Sequence, residues 1–301
     1  MTEREKKELT EIFGQGIIFD ANAEDFTTFK TGGIISAVVF PSNKKEIETL
    51  YEFSKNIPVR FIGCGSNLLI SDYGYDGILA VTRGISGISY SDQLILSYSG
   101  TKISSLLGWC IKNCLSGFEF LAGIPGTIGG ALINNAGAKD KSISDTIEMV
   151  EYLDTDGNWR NEKKDEILWK YRYSQLKEKA FFVFSSTLKT GGKASEDIIK
   201  NTVSTIMRQR KKTQPLEYPS AGSVFKNPPG LFAGRIIEEA GLKGYRIGNA
   251  MVSEKHANFI INTGKASSTD IWNLIKLIQE TIKTRYNIMF EPEIEFIGRF
   301  D

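Results

Sequence analysis

The chain reads as an α+β protein: a strand-rich N-terminal part carrying two glycine-rich turns, then a smaller C-terminal α/β part. Three observations predict this. Short apolar, β-branched runs bounded by Gly, Pro, Asn or Asp recur between residues 34 and 188. Two long amphipathic stretches with helical periodicity fall after residue 195. Gly191-Gly192, just ahead of the first of them, is the most linker-like point and marks the boundary.

Residues 3–14 suit a short polar helix, and Phe26-Thr27-Thr28-Phe29-Lys30-Thr31-Gly32-Gly33 leads into a strand over 34–40 that Pro41 ends. Ser42 and Asn43 cap a helix to about residue 54, with Ile47, Leu50, Tyr51 and Phe53 as its apolar face. A strand over 58–62 makes the opening β-α-β and runs into Gly63-Cys64-Gly65-Ser66-Asn67-Leu68-Leu69-Ile70. A Rossmann turn would need a third glycine at position 68 and a helix starting there. Position 68 is leucine, and residues 68–82 read as strand, turn, strand, so the Rossmann reading fails. The surviving Gly-x-Gly-Ser-Asn turn has two readings, an anion-holding loop or a plain turn. Short strands over 77–82, 87–90 and 94–98 precede a helix over 101–115 that carries Cys110 and Cys114 one turn apart. No His or further Cys sits near them, so small residues buried on a helix face are a better reading than half a metal site.

Residues 121–138, LAGIPGTIGGALINNAGA, combine glycines, one proline, two adjacent asparagines and almost no charge. Glycines at 123, 126, 129 and 130 let backbone approach a ligand closely. Gly126-Thr127 then opens a small-residue run able to start a helix, whose free N–H groups would favour a phosphate. A cradle for a phosphate-bearing cofactor and a glycine-rich turn between packed elements both fit these residues.

A strand over 147–153, a turn at Asp154-Thr155-Asp156-Gly157, a return through Trp159 and a strong strand over 180–188 complete the N-terminal part. The helix over 195–210 places Ile198, Ile199, Val203, Ile206 and Met207 on one face and ends in Arg208, Arg210, Lys211 and Lys212. Cations there either complement the helix dipole or receive a ligand's phosphates. A polar stretch over 219–229 precedes a helix over 231–240, and His256, the only histidine, precedes a strand over 258–262. One histidine permits neither a Ser-His-Asp triad nor a His-based metal site. Ser267 and Asp270 form a capping box for a helix to about Tyr286, striped by Ile271, Leu274, Ile275, Ile278 and Ile282. The proline-containing run 290–298 suits an edge strand.

With 301 residues the chain can build two or three cored domains, and 41% hydrophobic and 24% charged residues are ordinary for a soluble globular protein. A net charge of +1 suggests neither nucleic acid nor a membrane surface as partner. The charged start MTEREKKEL lacks the apolar core of a signal peptide, and no apolar run approaches a membrane span. Three cysteines argue against a disulfide framework. The expectation is a cytoplasmic protein.

Six stretches, in order, resemble the UDP-N-acetylenolpyruvoylglucosamine reductases. They are Phe29-Lys30-Thr31-Gly32-Gly33; Gly63-Cys64-Gly65-Ser66-Asn67-Leu68-Leu69; Gly123-Ile124-Pro125-Gly126-Thr127-Ile128-Gly129-Gly130 with Asn135-Ala136-Gly137-Ala138; Tyr171-Arg172-Tyr173-Ser174; Pro219-Ser220-Ala221-Gly222-Ser223-Val224-Phe225-Lys226-Asn227-Pro228; and Glu291-Pro292-Glu293-Ile294. Each is weak alone; together, across nearly the whole chain, they are specific. The resemblance implies an FAD-binding fold of the vanillyl-alcohol-oxidase (PCMH) type over about 20–190, with subdomains 20–85 and 86–190, and a substrate-binding domain over 195–301. FAD would rest its pyrophosphate on the two turns, through Gly63, Cys64, Gly65, Ser66, Asn67 and Leu68, and through Pro125, Gly126, Thr127, Gly129, Gly130, Ala136 and Gly137. The 51 positions from Arg172 to Ser223 match the shorter variant of the family, which lacks an inserted tyrosine loop.

The resemblance also implies a reaction. NADPH reduces FAD and leaves, and the small-molecule substrate UDP-N-acetylglucosamine enolpyruvate enters the same site to yield UDP-N-acetylmuramate for peptidoglycan synthesis. Hydride from flavin N5 adds to the terminal enolpyruvyl carbon, and negative charge builds on the carboxylate as an enolate. Arg172, a permanent cation with planar donors, and Glu293, if protonated, would stabilise that charge; a neutral Glu293 needs a raised pKa, which burial could supply. Ser223 would deliver a proton to the adjacent carbon as general acid. Tyr171, Lys211 or Lys212, Lys226, Asn227 and His256 would contact substrate. Two positions depart from the family pattern: Cys64 replaces a common glycine, and Glu295 stands where some members carry an arginine near the flavin ring. The competing readings are an alcohol or hydroxy-acid oxidase of the same flavin fold, and a non-catalytic flavin-binding protein. The Ser223 and Glu293 motifs count against the first, and an intact Arg172, Ser223 and Glu293 against the second.

Overall fold

A computed structural model describes residues 1–138 and 140–301. Packing divides the chain into two compact units. Met1–Ile18, Ala37–Cys64 and Gly77–Gln209 form the first; Phe19–Ser36, Gly65–Asp76 and Arg210–Asp301 form the second. This packing division is distinct from the expected domains at 20–190 and 195–301.

In a four-stranded sheet the order is Ile17–Asn22, Ile34–Val39, Tyr75–Val81, Val59–Ile62. Its first three strands each carry the chain from one unit into the other. The β-α-β order at the start of the chain is present, with helix Lys44–Ser54 capped by Asn43. Tyr75–Val81 nevertheless lies between the two strands and pairs parallel with Val59–Ile62. Its last five residues are all buried, which suits a central strand covered on both faces. Ile17–Asn22, unforeseen in sequence, takes the edge with mostly exposed or half-exposed residues.

A five-stranded antiparallel sheet fills the first unit, in the order Trp159–Lys163, Ile147–Asp154, Ala180–Lys189, Leu94–Tyr98, Ile88–Ser91. Ile95, Val150 and Leu188 of this sheet pack with Leu106 and Leu107 of helix Ile103–Lys112 and with Ile128 and Leu132 of helix Ile128–Ile133. Aromatic edge contacts join Tyr51 and Phe61 to Phe181, and Tyr98 and Trp159 to Phe184. The helix expected over 101–115 is shorter, and Cys114 lies beyond it at φ +55°. The Leu115 amide bonds back to the Cys110 carbonyl and the Cys114 amide to that of Ile111, a Schellman stop. Only Cys110 is a buried helix-face residue, and burial pushes its thiol up to about 12.

Helix Glu196–Thr213 buries Ile199, and its half-buried Val203 and Ile206 pack against the same core. Ile198 and Met207 are exposed instead, because each sits one residue, about 100° of rotation, off that stripe.

In the second unit the core surrounds helix Ser268–Tyr286, whose Ile271, Leu274, Ile275, Ile278 and Ile282 are fully buried. Its capping box is present: Asp270 N–H donates to Ser267 Oγ over 2.9 Å, and Ser267 N–H to the Asp270 carboxylate over 3.1 Å. A small antiparallel sheet orders Arg246–Ile247, Ala250–Val252 and Ile260–Asn262, and helix Ala233–Glu239 packs nearby. Leu68–Ile70 pairs in parallel with Glu295–Ile297. No helix among the described residues is long and apolar enough to cross a membrane.

Ile275 lies at the centre of this core, so Ile275→Ala should cost about 2–5 kcal/mol of unfolding free energy. Exposed Ile198→Ala should stay within about 0.5 kcal/mol of wild type. Urea midpoints followed by circular dichroism separate the two.

Candidate active site

The first unit brings Gly63 against the glycine-rich stretch. A Cβ on Gly63 would stand 2.3 Å from Thr127 Oγ1, so only glycine lets the two segments meet. Cys64 comes next, half-buried, with burial pushing its thiol up and Lys102 pulling it the other way. Thr127 caps the six-residue helix Ile128–Ile133.

The expectation that free amides of this helix would hold a phosphate does not survive. Ile128 N–H donates to Thr101 O at 2.9 Å, Gly129 N–H to Ser99 O at 2.8 Å, and Gly130 N–H to Thr127 Oγ1 at 3.4 Å. The first helical amides are thus spent inside the protein. Ala136 bonds its amide to Ala131 O at 2.8 Å, and Gly137 pairs with Ser142 in a tight hairpin.

That hairpin region supports Arg172. Asn135, buried at φ +42°, donates from Nδ2 to Lys170 O at 2.8 Å and accepts from Ser144 N–H at 3.3 Å. Ser174 Oγ donates to Ile133 O at 3.0 Å. Between those anchors, Trp169–Lys170 and Tyr173–Ser174 pair around Tyr171 and Arg172. Arg172 is held at φ +54°, an uncommon conformation for a side chain of its size. Its guanidinium lies 5.2 Å from the centre of the exposed Tyr171 ring, and its Nε is buried.

In the second unit, Gly65 takes φ +62°, and a Cβ there would lie 1.9 Å from Phe26 O. Thr28 N–H donates to Gly65 O at 3.0 Å. Ser66 completes the turn, and Leu68 begins the strand paired with Glu295. Asn67 links this turn to the C-terminal strand: its Nδ2 donates to Glu293 O at 3.0 Å, and its O accepts from Glu295 N–H at 2.9 Å. Glu293 N–H donates in turn to Val224 O at 2.7 Å, and Ser223 bridges Phe259. Ser223 and Glu293 are therefore brought onto adjoining backbone segments of one unit.

Two of the other expected contacts already have protein partners. Lys226 Nζ is ion-paired with Glu291, and Asn227 Oδ1 accepts from Ala233 N–H at 3.0 Å. Lys211 and Lys212 are both exposed in the last turn of helix Glu196–Thr213. His256 is half-buried, its ring edge-on to Phe259 at 4.9 Å. Asn258 N–H donates to its Nδ1 at 3.3 Å, which places the proton of the neutral ring on Nε2. Burial, joined by Lys243, holds its pKa below the ordinary value of 6.5 against an opposing pull from Glu238. Among the described residues no group of three or more His, Cys, Asp or Glu could hold a metal.

The first unit's polar interior fits a bound cofactor rich in hydrogen-bonding groups. Thr82 Oγ1 and Ser99 Oγ are buried with no partner among the described residues, and Ser99 lies directly against Gly129. Buried hydroxyls of this kind cost stability unless something satisfies them.

Comparison with known proteins decides the family. Residues 35–161 match the FAD binding domain model, and residues 214–297 match the model of the UDP-N-acetylenolpyruvoylglucosamine reductase C-terminal domain. The chain is 43% identical, over 94% of its length and 92% of the relative's, to UDP-N-acetylenolpyruvoylglucosamine reductase of Caldicellulosiruptor saccharolyticus. It belongs to the UDP-N-acetylenolpyruvoylglucosamine reductase family. The Caldanaerobacter subterraneus reductase is 38% identical over 96% of this chain and 97% of that one. The crystal structure of the Thermus caldophilus reductase superposes with a TM-score of 0.80 at 32% identity, covering 92% of this chain and 98% of that one. The expected fold class and FAD as cofactor are borne out, since the FAD-binding match contains both glycine-rich turns. Reading the sequence for this reductase family misses the anchoring roles of Asn135 and Asn67. The Asn134-Asn135 pair is visible in sequence, but nothing local says which backbone groups a buried amide will meet.

Because the chain has one histidine, its ring resonances can be followed without assignment. They should titrate with a midpoint below 6.5. The unfolded state then binds the extra proton, so His256 favours folding above 6.5 and loses that contribution as pH falls through its lower folded value. In His256→Gln this part of the acid dependence of stability should vanish.

Proposed function

We propose that Arg172, Ser223 and Glu293 carry out the reaction for which the family is named, reduction of UDP-N-acetylenolpyruvoylglucosamine with NADPH as reductant. The observation that supports this reading is the direct bond from Glu293 N–H to Val224 O, which joins the backbone of the proposed carboxyl to that of the residue after Ser223, the proposed general acid. FAD held by this chain would, once reduced by NADPH, supply a hydride for the terminal carbon of the enolpyruvyl group. The electron pair displaced from the C=C bond moves onto the substrate carboxylate as an enolate. Arg172 and the Glu293 carboxyl hydrogen-bond that charge, and Ser223 transfers its proton to the neighbouring carbon, giving the saturated lactyl ether. Solvent then returns the proton to Ser223. The strained backbone of Arg172 supports its role, because such conformations persist where surrounding structure enforces them.

The assigned cofactor contacts are Gly63, Cys64, Gly65, Ser66, Asn67 and Leu68 on one side, and Pro125, Gly126, Thr127, Gly129, Gly130, Ala136 and Gly137 on the other. Tyr171, Lys211 or Lys212, Lys226, Asn227 and His256 receive the UDP-sugar; Lys226 must exchange Glu291 for a phosphate as it does so. Neutral His256, with its proton on Nε2, offers one donor there. We assign FAD to about 20–190 and the sugar nucleotide chiefly to 195–301. We place the reaction in the cytoplasm, consistent with three free cysteines, with a small molecule as partner and neither membrane nor nucleic acid involved.

The test is anaerobic. The purified protein, yellow with absorbance near ~450 nm, should bleach with NADPH and regain its colour on adding UDP-N-acetylglucosamine enolpyruvate. Flavin that stays reduced would reject the substrate. Ser223→Ala should bleach at the wild-type rate but reoxidise about 10²–10⁴-fold more slowly. Arg172→Lys keeps the charge but loses the planar fork, and kcat should fall about 10²–10³-fold with the NADPH half-reaction little changed.

A further inference from the structure

Asn258 has no part in the chemistry above, yet it organises the segment that carries Ser223. Its side chain is 4% exposed. Its Oδ1 accepts from Phe225 N–H at 3.0 Å, and its Nδ2 donates to Phe225 O at 2.8 Å. Its main-chain oxygen accepts from Val224 N–H at 2.8 Å, and its own N–H reaches His256 Nδ1 at 3.3 Å. Val224 O and Lys226 N–H turn the other way, to Glu293 N–H at 2.7 Å and Glu291 O at 2.9 Å. Every backbone polar group from Val224 N–H to Lys226 N–H is therefore met either by Asn258 or by residues 291–293.

A regular strand partner would meet only alternate residues of this segment. Asn258 meets consecutive ones, Val224 with its backbone and Phe225 with its amide. The Ser223-to-Asn227 backbone is thereby held between the Glu293 segment and His256 without a continuous ladder. The amide is the one side-chain group that offers both a donor and an acceptor at the required spacing. An aspartate would keep the acceptor and set a second oxygen against Phe225 O.

We infer that Asn258 is a positioning residue that fixes Ser223, and with it Glu293 and His256, in the geometry of proton delivery. This inference rests on the proposed role of Ser223. Displacement of a reacting group by about 1 Å costs on the order of 10²-fold in rate, which sets the scale expected here.

The test uses the FAD-loaded full chain as Asn258→Asp, with Asn258→Ala as the second variant. Both should bleach with NADPH within about two-fold of wild type and reoxidise with UDP-N-acetylglucosamine enolpyruvate about 10²-fold more slowly. The double variant Ser223→Ala/Asn258→Asp should reoxidise no more slowly than Ser223→Ala alone, because a mispositioned donor cannot matter once the donor is gone. Wild-type reoxidation in Asn258→Asp, or effects that multiply in the double variant, would overturn the inference. Loss of flavin from both Asn258 variants would overturn it too, in favour of a purely structural role. Wild-type reoxidation by Ser223→Ala on its own would instead overturn the proton-donor reading. A slow Asn258→Asp would then assign the positioning to Glu293 and His256.

Discussion

The second unit depends on the parallel pairing of Leu68–Ile70 with Glu295–Ile297. The two strands are only three residues long, but their neighbours extend the contact in both directions. Asn67 holds Glu293, and Ser71 Oγ donates to Arg299 O at 2.5 Å while its N–H donates to Ile297 O at 2.8 Å. Closing a loop of 226 residues costs about 5 kcal/mol in chain entropy by the logarithmic rule, little more than a loop half as long. What repays it is burial around the pair, where Leu69, Ile70 and Ile294 sit in the interior. Once this pair forms, Glu293 reaches Val224 and the segment bearing Ser223 is set. The carboxyl proposed to stabilise the enolate is thus located by backbone hydrogen bonds, the most rigid means a chain possesses.

In the first unit the glycine-rich stretch does two jobs with different parts. Its opening turn and Thr127 admit Gly63 at close range, and its small residues let a short helix lie against Ser99 and the sheet beneath. Its end supplies Asn135, whose amide reaches the base of the hairpin bearing Arg172. Residues that resemble a phosphate cradle also brace Arg172, the cation proposed to answer the substrate's charge. That braced loop can hold Arg172 in a left-handed conformation because both of its flanking strands are tied down.

What could be read from sequence was whatever local pattern decides. The stripe Ile271, Leu274, Ile275, Ile278 and Ile282 and its capping box are properties of neighbours three or four residues apart, and both are found. The strand Ala180–Lys189 needed only its apolar run. Ile17–Asn22 carries its large apolar residues only at 17–19, ahead of Asp20, a run too short to set a strand period. Arg246–Ile247 and Ala250–Val252 are too short to show a period. Cys114 was misplaced because a helix stop depends on backbone geometry around 113–117, not on apolar spacing. At the site, Ser223 and Glu293 were nameable only through family resemblance. Their adjacency rests on bonds across some 70 positions, and the partners of Asn67, Asn135 and Asn258 exist only after the chain has folded.

The interleaved course of the chain has a consequence for how the protein is made. Residues 19–36 and 65–76 pack with residues beyond 210. On a ribosome adding about 5–20 residues per second, Asn67 emerges some ~10–45 s before Glu293. During that interval Leu69 and Ile70, buried in the finished protein, have none of their C-terminal partners. The first unit, whose segments all precede residue 210, can condense in the meantime. Synthesis therefore separates the two units in time: one assembles as it emerges, and the other waits with an apolar strand exposed to whatever in the cell shields such segments.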